Sequence, residues 1–227
     1  MKNRLLALIL CMILLLSCAC AKESDAKKEQ TDVQKKEELY NYEVTDEPFE
    51  SMEIQHSLLD YISFENEQAL FEAADMVFIG MPLDTFTDGE ERYYDVNLQE
   101  LKGVEGSTYR YTVRDIKVIE MLKGDKSLDT VSVADDAVVK EMYDGKQVID
   151  GLCENSHIAK KNVKYIYYLV KSNSEEMDFY FTAYDEGLIN IDGLDSKVGR
   201  ADRVLAAKER LPEQFEKYDR SSELAVK

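Results

Sequence analysis

The apolar positions of this chain change period several times, and each change marks an element. Leu70, Ala73, Ala74 and Val77 fall at i, i+3, i+4 and i+7, which predicts one buried helical face. Ser63 is the candidate cap of that helix, with Glu65 and Glu67 in the turn where the helix dipole favours acids. Met76 to Met81 then runs apolar without a break, and its β-branched and aromatic bias predicts a buried strand. Thr87-Asp88-Gly89-Glu90 reads as a turn.

From Tyr109 to Leu122 the pattern alternates as a strand does. Tyr109, Tyr111 and Val113 hold odd positions, whereas Ile116 and Val118 continue on even ones. A slip of one residue flips faces, so a β-bulge is predicted between 113 and 116, bending the strand as the corners of small barrels require. Lys123-Gly124-Asp125 closes this strand, and Leu128 to Ala134 supplies its return partner. Val163 to Val170 is apolar on both phases and predicts a central strand; Phe179 to Ala183 and Leu188 to Ile191 complete the set. Val204, Ala207, Leu211 and Phe215 form one stripe of a last helix starting near Ala201, kinked or broken at Pro212. Asp136 to Tyr143 reads equally as a helical turn ended near Gly145 or as an irregular loop.

The amino-terminal residues follow a different logic. Met1-Lys2-Asn3-Arg4 is positively charged, Leu5 to Leu16 is unbroken apolar, and Ser17-Cys18-Ala19-Cys20 is small before the chain turns polar. That order is the pattern of a secretory leader. Twelve apolar residues span roughly 18 Å as a helix, short of the roughly 30 Å of a bilayer core. Residues 1–17 are therefore expected to be a leader and residues 18–50 a charged tether, disordered or a solvated helix, with almost no apolar residue before Leu39. About thirty flexible residues reach roughly 30 Å. A single domain is expected over 51–217, long enough for one core, followed by a tail at 218–227.

Two resemblances follow from quoted residues. Leu15-Leu16-Ser17-Cys18 resembles the lipobox of bacterial lipoproteins, which implies a lipid (palmitate-type acyl chains) on Cys18 and a place on the extracytoplasmic face of the cell membrane. Cys20 is the rival, with Ser17 rather than Leu15 three residues ahead of it. One acyl chain binds a membrane only reversibly, whereas two or three make anchoring stable. Further on, Ala74-Asp75-Met76-Val77-Phe78-Ile79-Gly80, the stretch Tyr111 to Gly124 ending in Leu-Lys-Gly, and Val163 to Leu169 resemble, in that order, segments of uncharacterised bacterial lipoproteins. They are loosely similar to the netrin-like barrel of tissue inhibitors of metalloproteinases. The resemblance covers about residues 69 to 192. It implies a mainly β (α+β) fold: one five-stranded, OB-like antiparallel barrel with an amphipathic helix before it and a helix after it. It carries over no inhibitor residue.

Charge narrows the partners. The net charge is −18, and losing Lys2 and Arg4 with the leader takes it to −20. Nucleic acid is excluded as a partner, because phosphate binding needs clustered Lys and Arg. Four cysteines are too few for a disulfide scaffold once Cys11 leaves and Cys18 is lipidated; a Cys20–Cys153 bridge would pin the tether to the barrel.

Chemistry is sparse. Cys153 and His157 are the one pair with the elements of a thiolate–imidazole site or a metal site, and His56 is the only other histidine. Asp84, Asp88, Glu90 and Glu91 gather acids, but Phe86 breaks the alternation a calcium loop needs. No cofactor and no metal site is predicted. Fourteen tyrosines without a tryptophan suit either strand packing or an exposed binding surface, and Tyr93, Tyr94, Tyr109 and Tyr111 are the candidate ligand surface on one face of the barrel. The expected activity is a non-catalytic binding or interaction module for an envelope protein, peptide or glycan. The alternatives are an envelope hydrolase or metal-dependent enzyme using Cys153 and His157, and an accessory lipoprotein of a transport system.

Overall fold

The computed structural model describes residues 44–57, 64–96, 107–153, 157–171, 178–183, 187–195 and 198–224. Five strands close on themselves: β2 (Met76–Pro82), β4 (Ser107–Lys123), β5 (Thr130–Asp135), β9 (Tyr180–Thr182) and β8 (Tyr165–Lys171), which returns to β2. The result is the expected OB-like barrel in a mainly β chain. One seam departs from the antiparallel expectation: β5 and β9 run parallel, Val133 opposite Tyr180 and Ala134 opposite Phe181. The reason is arithmetic. Directions cannot alternate around a ring with an odd number of strands, so one pair must run the same way.

β2 and β8 are buried on both faces, which accounts for their unbroken apolar runs. Met76, Phe78, Tyr165, Tyr167 and Leu169 fill the barrel with Ile116, Val131 and Val133. Val77, Ile79, Ile166 and Tyr168 face outward under the helices, against Leu70, Ala74, Ala207 and Tyr218. Each buried Val, Leu, Ile, Phe or Met among them contributes about 1.5–3 kcal/mol of transfer free energy. Those helices are α1 (Glu67–Ala73), α2 (Ala201–Arg210), α3 (Pro212–Tyr218) and the short α4 (Ser221–Leu224). α2 stops at Leu211 and Pro212 opens α3, the break read from the sequence. Among the described residues no helix is long and apolar enough to cross a membrane.

The bulge is not where the phase slip put it. From Thr112 to Lys117 the β4–β5 ladder runs without interruption. Both faces are covered there: Tyr111 and Val113 pack with Ala134 and Phe179, while Ile116 points into the barrel and Arg114 is buried. The slip records a buried arginine in an apolar slot, not an extra residue. The register shifts lie further on, opposite β2, where Val77 faces Lys123 but Phe78 faces Met121, and Ile79 faces Glu120 but Gly80 faces Val118. The extra residues, Leu122 and Ile119, turn toward the helices. At Gly80 a Cβ would stand 2.9 Å from the Lys117 carbonyl oxygen and 2.4 Å from the Phe78 ring, so only glycine lets the strands approach.

The quoted motifs have structural work. Lys123 Nζ donates to the carbonyls of Phe71 (3.0 Å), Glu72 (3.0 Å) and Ala74 (2.5 Å), capping the negative end of α1. Asp75 Oδ2 accepts from the Lys171 amide at 2.8 Å, tying the end of β8 to the start of β2. The start of α1 is corrected: Asn66, not Ser63, is the cap, its Oδ1 accepting from Ala69 N at 2.9 Å, and Ser63 lies outside the described residues.

Between β5 and β8 the chain adds β6 (Val138–Glu141) and β7 (Gln147–Cys153), which join the amino-terminal β1 (Glu53–Ser57) in a three-stranded sheet ordered β1-β7-β6. Asp136 to Tyr143 is thus neither helix nor loop but largely the strand β6, paired antiparallel with β7. A four-residue strand has too few residues to show a period. The packed chain is also longer than 51–217. Val44 packs on the barrel core and Glu47 is buried at one end; at the other, Tyr218 and Arg220 are buried.

Candidate functional site

β4 is longer than the barrel needs. β5 pairs with it only from Thr112 onward, and its first residues, Ser107 to Val113, pair with β3 (Glu90–Val96). The two form a ribbon that continues past the closed barrel. Tyr93 lies opposite Arg110, Arg92 opposite Tyr111, and Tyr94 opposite Tyr109. Because strand residues alternate, positions 92, 94, 109 and 111 share one face while 93 and 110 share the other. The four tyrosines therefore do not line a single face. The side chains of Tyr94 and Tyr109 lie outside the described residues.

Tyr93 is 63% exposed, with the Arg110 guanidinium 5.6 Å from its ring centroid. Arg110 Nε donates to Glu91 Oε1 at 2.7 Å. On the opposite face Tyr111 is 8% exposed, its ring edge-on to Phe181 at 5.0 Å and tilted against Phe179 at 6.2 Å. Tyr111 is a packing residue, which removes it from the ligand surface. Arg92 covers the Phe179 ring at 5.6 Å and pairs with Glu90 at 2.9 Å and Asp178 at 2.5 Å. The ribbon thus presents an aromatic ring and guanidinium–carboxylate pairs on rigid strand backbone, a composition suited to protein and peptide contacts.

A second cluster, which the sequence marks at one residue only, sits at one end of the barrel. Arg114 donates to Asp135 Oδ2 from Nη2 (2.7 Å) and Nε (3.0 Å) and to the Ala159 carbonyl from Nη1 (2.8 Å). The Glu47 carboxylate accepts from the amides of Phe86 (3.1 Å) and Lys161. Burial holds Glu47 above the ordinary glutamate range, outweighing those amides and the nearby Arg114 charge. Burial likewise raises Asp135 against the pull of Arg114. The Tyr167 hydroxyl, buried beside them, has no hydrogen-bond partner among the described residues. The sole sequence signal was Arg114 in an apolar slot of β4; nothing local marks Glu47, which is 67 positions away.

His157 is exposed and lines a small cleft of about 200 Å³ with Phe49, Met52, Ile158 and Lys160. The Cys153 side chain lies outside the described residues, as do the leader, Cys18, Cys20 and the side chain of His56. The acids around Phe86 do not converge: Asp88 accepts from Thr85 Oγ1 at 2.7 Å, Glu90 holds Arg92 and Glu91 holds Arg110. Among the described residues, no group of three or more His, Cys, Asp or Glu is placed to hold a metal ion. A larger cleft of about 560 Å³ lies between the loop after β10 (Leu188–Asn190) and the C-terminal helices, floored by Ile191, Val204 and Phe215 and rimmed by Lys208 and Asp219.

No protein-family model matches the chain, and no curated protein and no solved structure resembles it significantly.

Proposed function

We propose that the chain is a membrane-anchored extracytoplasmic lipoprotein, acylated at Cys18, whose OB-like barrel is a non-catalytic binding module. It resembles bacterial lipoproteins in the residues already quoted, and its partner is an envelope protein, peptide or glycan met by the β3–β4 ribbon. One observation carries the binding reading: Tyr93, 63% exposed beside Arg110, stands on a ladder that outruns the barrel it grows from. A tyrosine offers a large rigid contact face with little rotamer entropy to lose, and Tyr and Arg dominate binding hot spots. An acidic domain is repelled by anionic lipid, so an acyl anchor rather than surface charge supplies membrane residence.

The test uses the full chain in its native membrane with a photo-crosslinking residue at position 93. The reading requires a discrete crosslinked partner that the same probe at exposed Leu205 does not capture. Equal or no capture at both positions overturns it. Cys18→Ala is expected to release the protein from the membrane fraction without acyl mass; a variant that stays lipid-modified overturns the anchor. Turnover lost in Cys153→Ser or His157→Ala would establish the enzyme alternative instead.

A further inference from the structure

Resting on the reading of the ribbon as the binding surface, we infer that the outer edge of β3 takes an extended basic peptide segment as a third strand.

β3 pairs with β4 along seven residues in unbroken register, Glu90 opposite Val113 through Val96 opposite Ser107. Among the described residues no strand pairs with its other edge. Every second residue of such an edge points its N–H and C=O outward, so three or four residues are ready to extend the ladder. Edge strands are usually blunted by proline, lysine or a bulge. β3 has no proline and no lysine, and its ladder with β4 shows no register shift. Glu90 and Glu91 hold the guanidinium groups of Arg92 and Arg110, and Arg92 also reaches Asp178 beyond the ribbon.

Charge selects the occupant. The paired stretches 90–96 and 107–113 carry Glu90, Glu91 and Asp95 against Arg92 and Arg110, a net negative ribbon on a chain of net charge −18. Such a field draws basic segments and repels acidic ones. On the face of Tyr93, a neighbouring strand meets Glu91 and the tyrosine ring, which favour a Lys or Arg beside an aromatic residue. A second copy fits less well. Antiparallel self-pairing centred on Tyr93 sets Glu91 opposite position 95, an aspartate, twice; pairing centred on Arg92 sets the two arginines together.

The probe is the synthetic peptide Thr-Lys-Val-Tyr-Val-Lys-Thr, capped at both ends and added to the full chain in detergent. Binding should weaken as salt rises. Hydrogen exchange should slow at alternate amides of residues 90–96. N-methylation of the peptide at one set of alternate residues should weaken binding about tenfold or more, and at the other set should leave it nearly unchanged, because only one set faces β3. A Glu-for-Lys version of the peptide should not bind. Equal binding by both N-methylated peptides, or by the acidic one, overturns the inference. So does protection of 90–96 that depends on protein concentration without peptide, which would make the occupant a second copy. If the probe at position 93 captures an envelope partner without alternate-amide protection, strand addition fails while the binding reading stands. Failure of both capture and peptide binding removes both.

Discussion

The same three residue types meet twice in this molecule with opposite consequences. Under the helices, Glu67 accepts from Arg210 (2.6 Å) and from the Tyr168 hydroxyl, and Arg210 lies 4.1 Å from the centroid of Phe71. On the ribbon, Glu91 accepts from Arg110, which lies over Tyr93. Glu67 is 3% exposed and Tyr168 is fully buried, whereas Tyr93 is mostly in water. Burial pushes the Tyr168 hydroxyl far above its ordinary range, with Glu67 adding to it, so it stays a neutral donor. The comparison teaches that the glutamate–arginine–tyrosine trio has no fixed role: solvent exposure decides whether it holds a fold together or leaves an aromatic ring in water.

The largest expected effect tests that contrast directly. Glu67→Ala leaves a mostly buried arginine and a buried hydroxyl without their acceptor and should cost about 3 kcal/mol of unfolding free energy in a denaturant titration. Glu91→Ala should cost below about 1 kcal/mol in the same experiment. Equal losses would break the comparison. Next, Lys123→Met removes the cation from the carbonyl end of α1 and should cost about 1–2 kcal/mol, with faster hydrogen exchange confined first to residues 67–74.

Acid sharpens the difference between the barrel end and the helical flank. Glu47 is raised in the folded state, so the native protein takes up a proton before the unfolded chain does; its contribution improves as pH falls from neutral toward 4.5. Burial pushes Glu120 up as well, but hydrogen bonds from Gln214 and Lys217 outweigh it and leave the carboxyl lowered. Its stabilisation is present above 4.5 and is lost as pH falls below that value. Glu47→Gln should therefore flatten the gain on mild acidification, and Glu120→Gln the loss at lower pH, as read by denaturant midpoints across a pH series. Smallest of all, Tyr93→Ala should change stability by within about 0.5 kcal/mol while removing crosslinked partner capture by a probe placed at position 91. A larger stability loss would make Tyr93 a packing residue like Tyr111.

The legible parts of the fold were those in which one stretch of chain states its own environment. Met76 to Met81 and Val163 to Val170 are apolar on both phases because both faces are covered, and Pro212 ends a helix wherever it stands. Arg114 misled the reading of β4 because its partners, Asp135, the Ala159 carbonyl and the Glu47 charge, come from three distant segments. A buried cation in an alternating strand looks like a change of phase. Tyr93 and Tyr111 differ in exposure for a related reason. Alternation along one strand is local, but which face of a ribbon meets water depends on what lies across it, here Phe179 and Phe181.

From its order of residues alone, this chain specified an acidic β-rich domain, its central strands and its broken C-terminal helix, because periodicity and charge are written locally. Tertiary structure alone decided that the five strands close with one parallel seam, that Glu47 and Arg114 meet inside, and that Tyr93 faces solvent while Tyr111 does not. Those outcomes depend on pairings between residues far apart in the chain, and no local pattern encodes which distant segment will arrive.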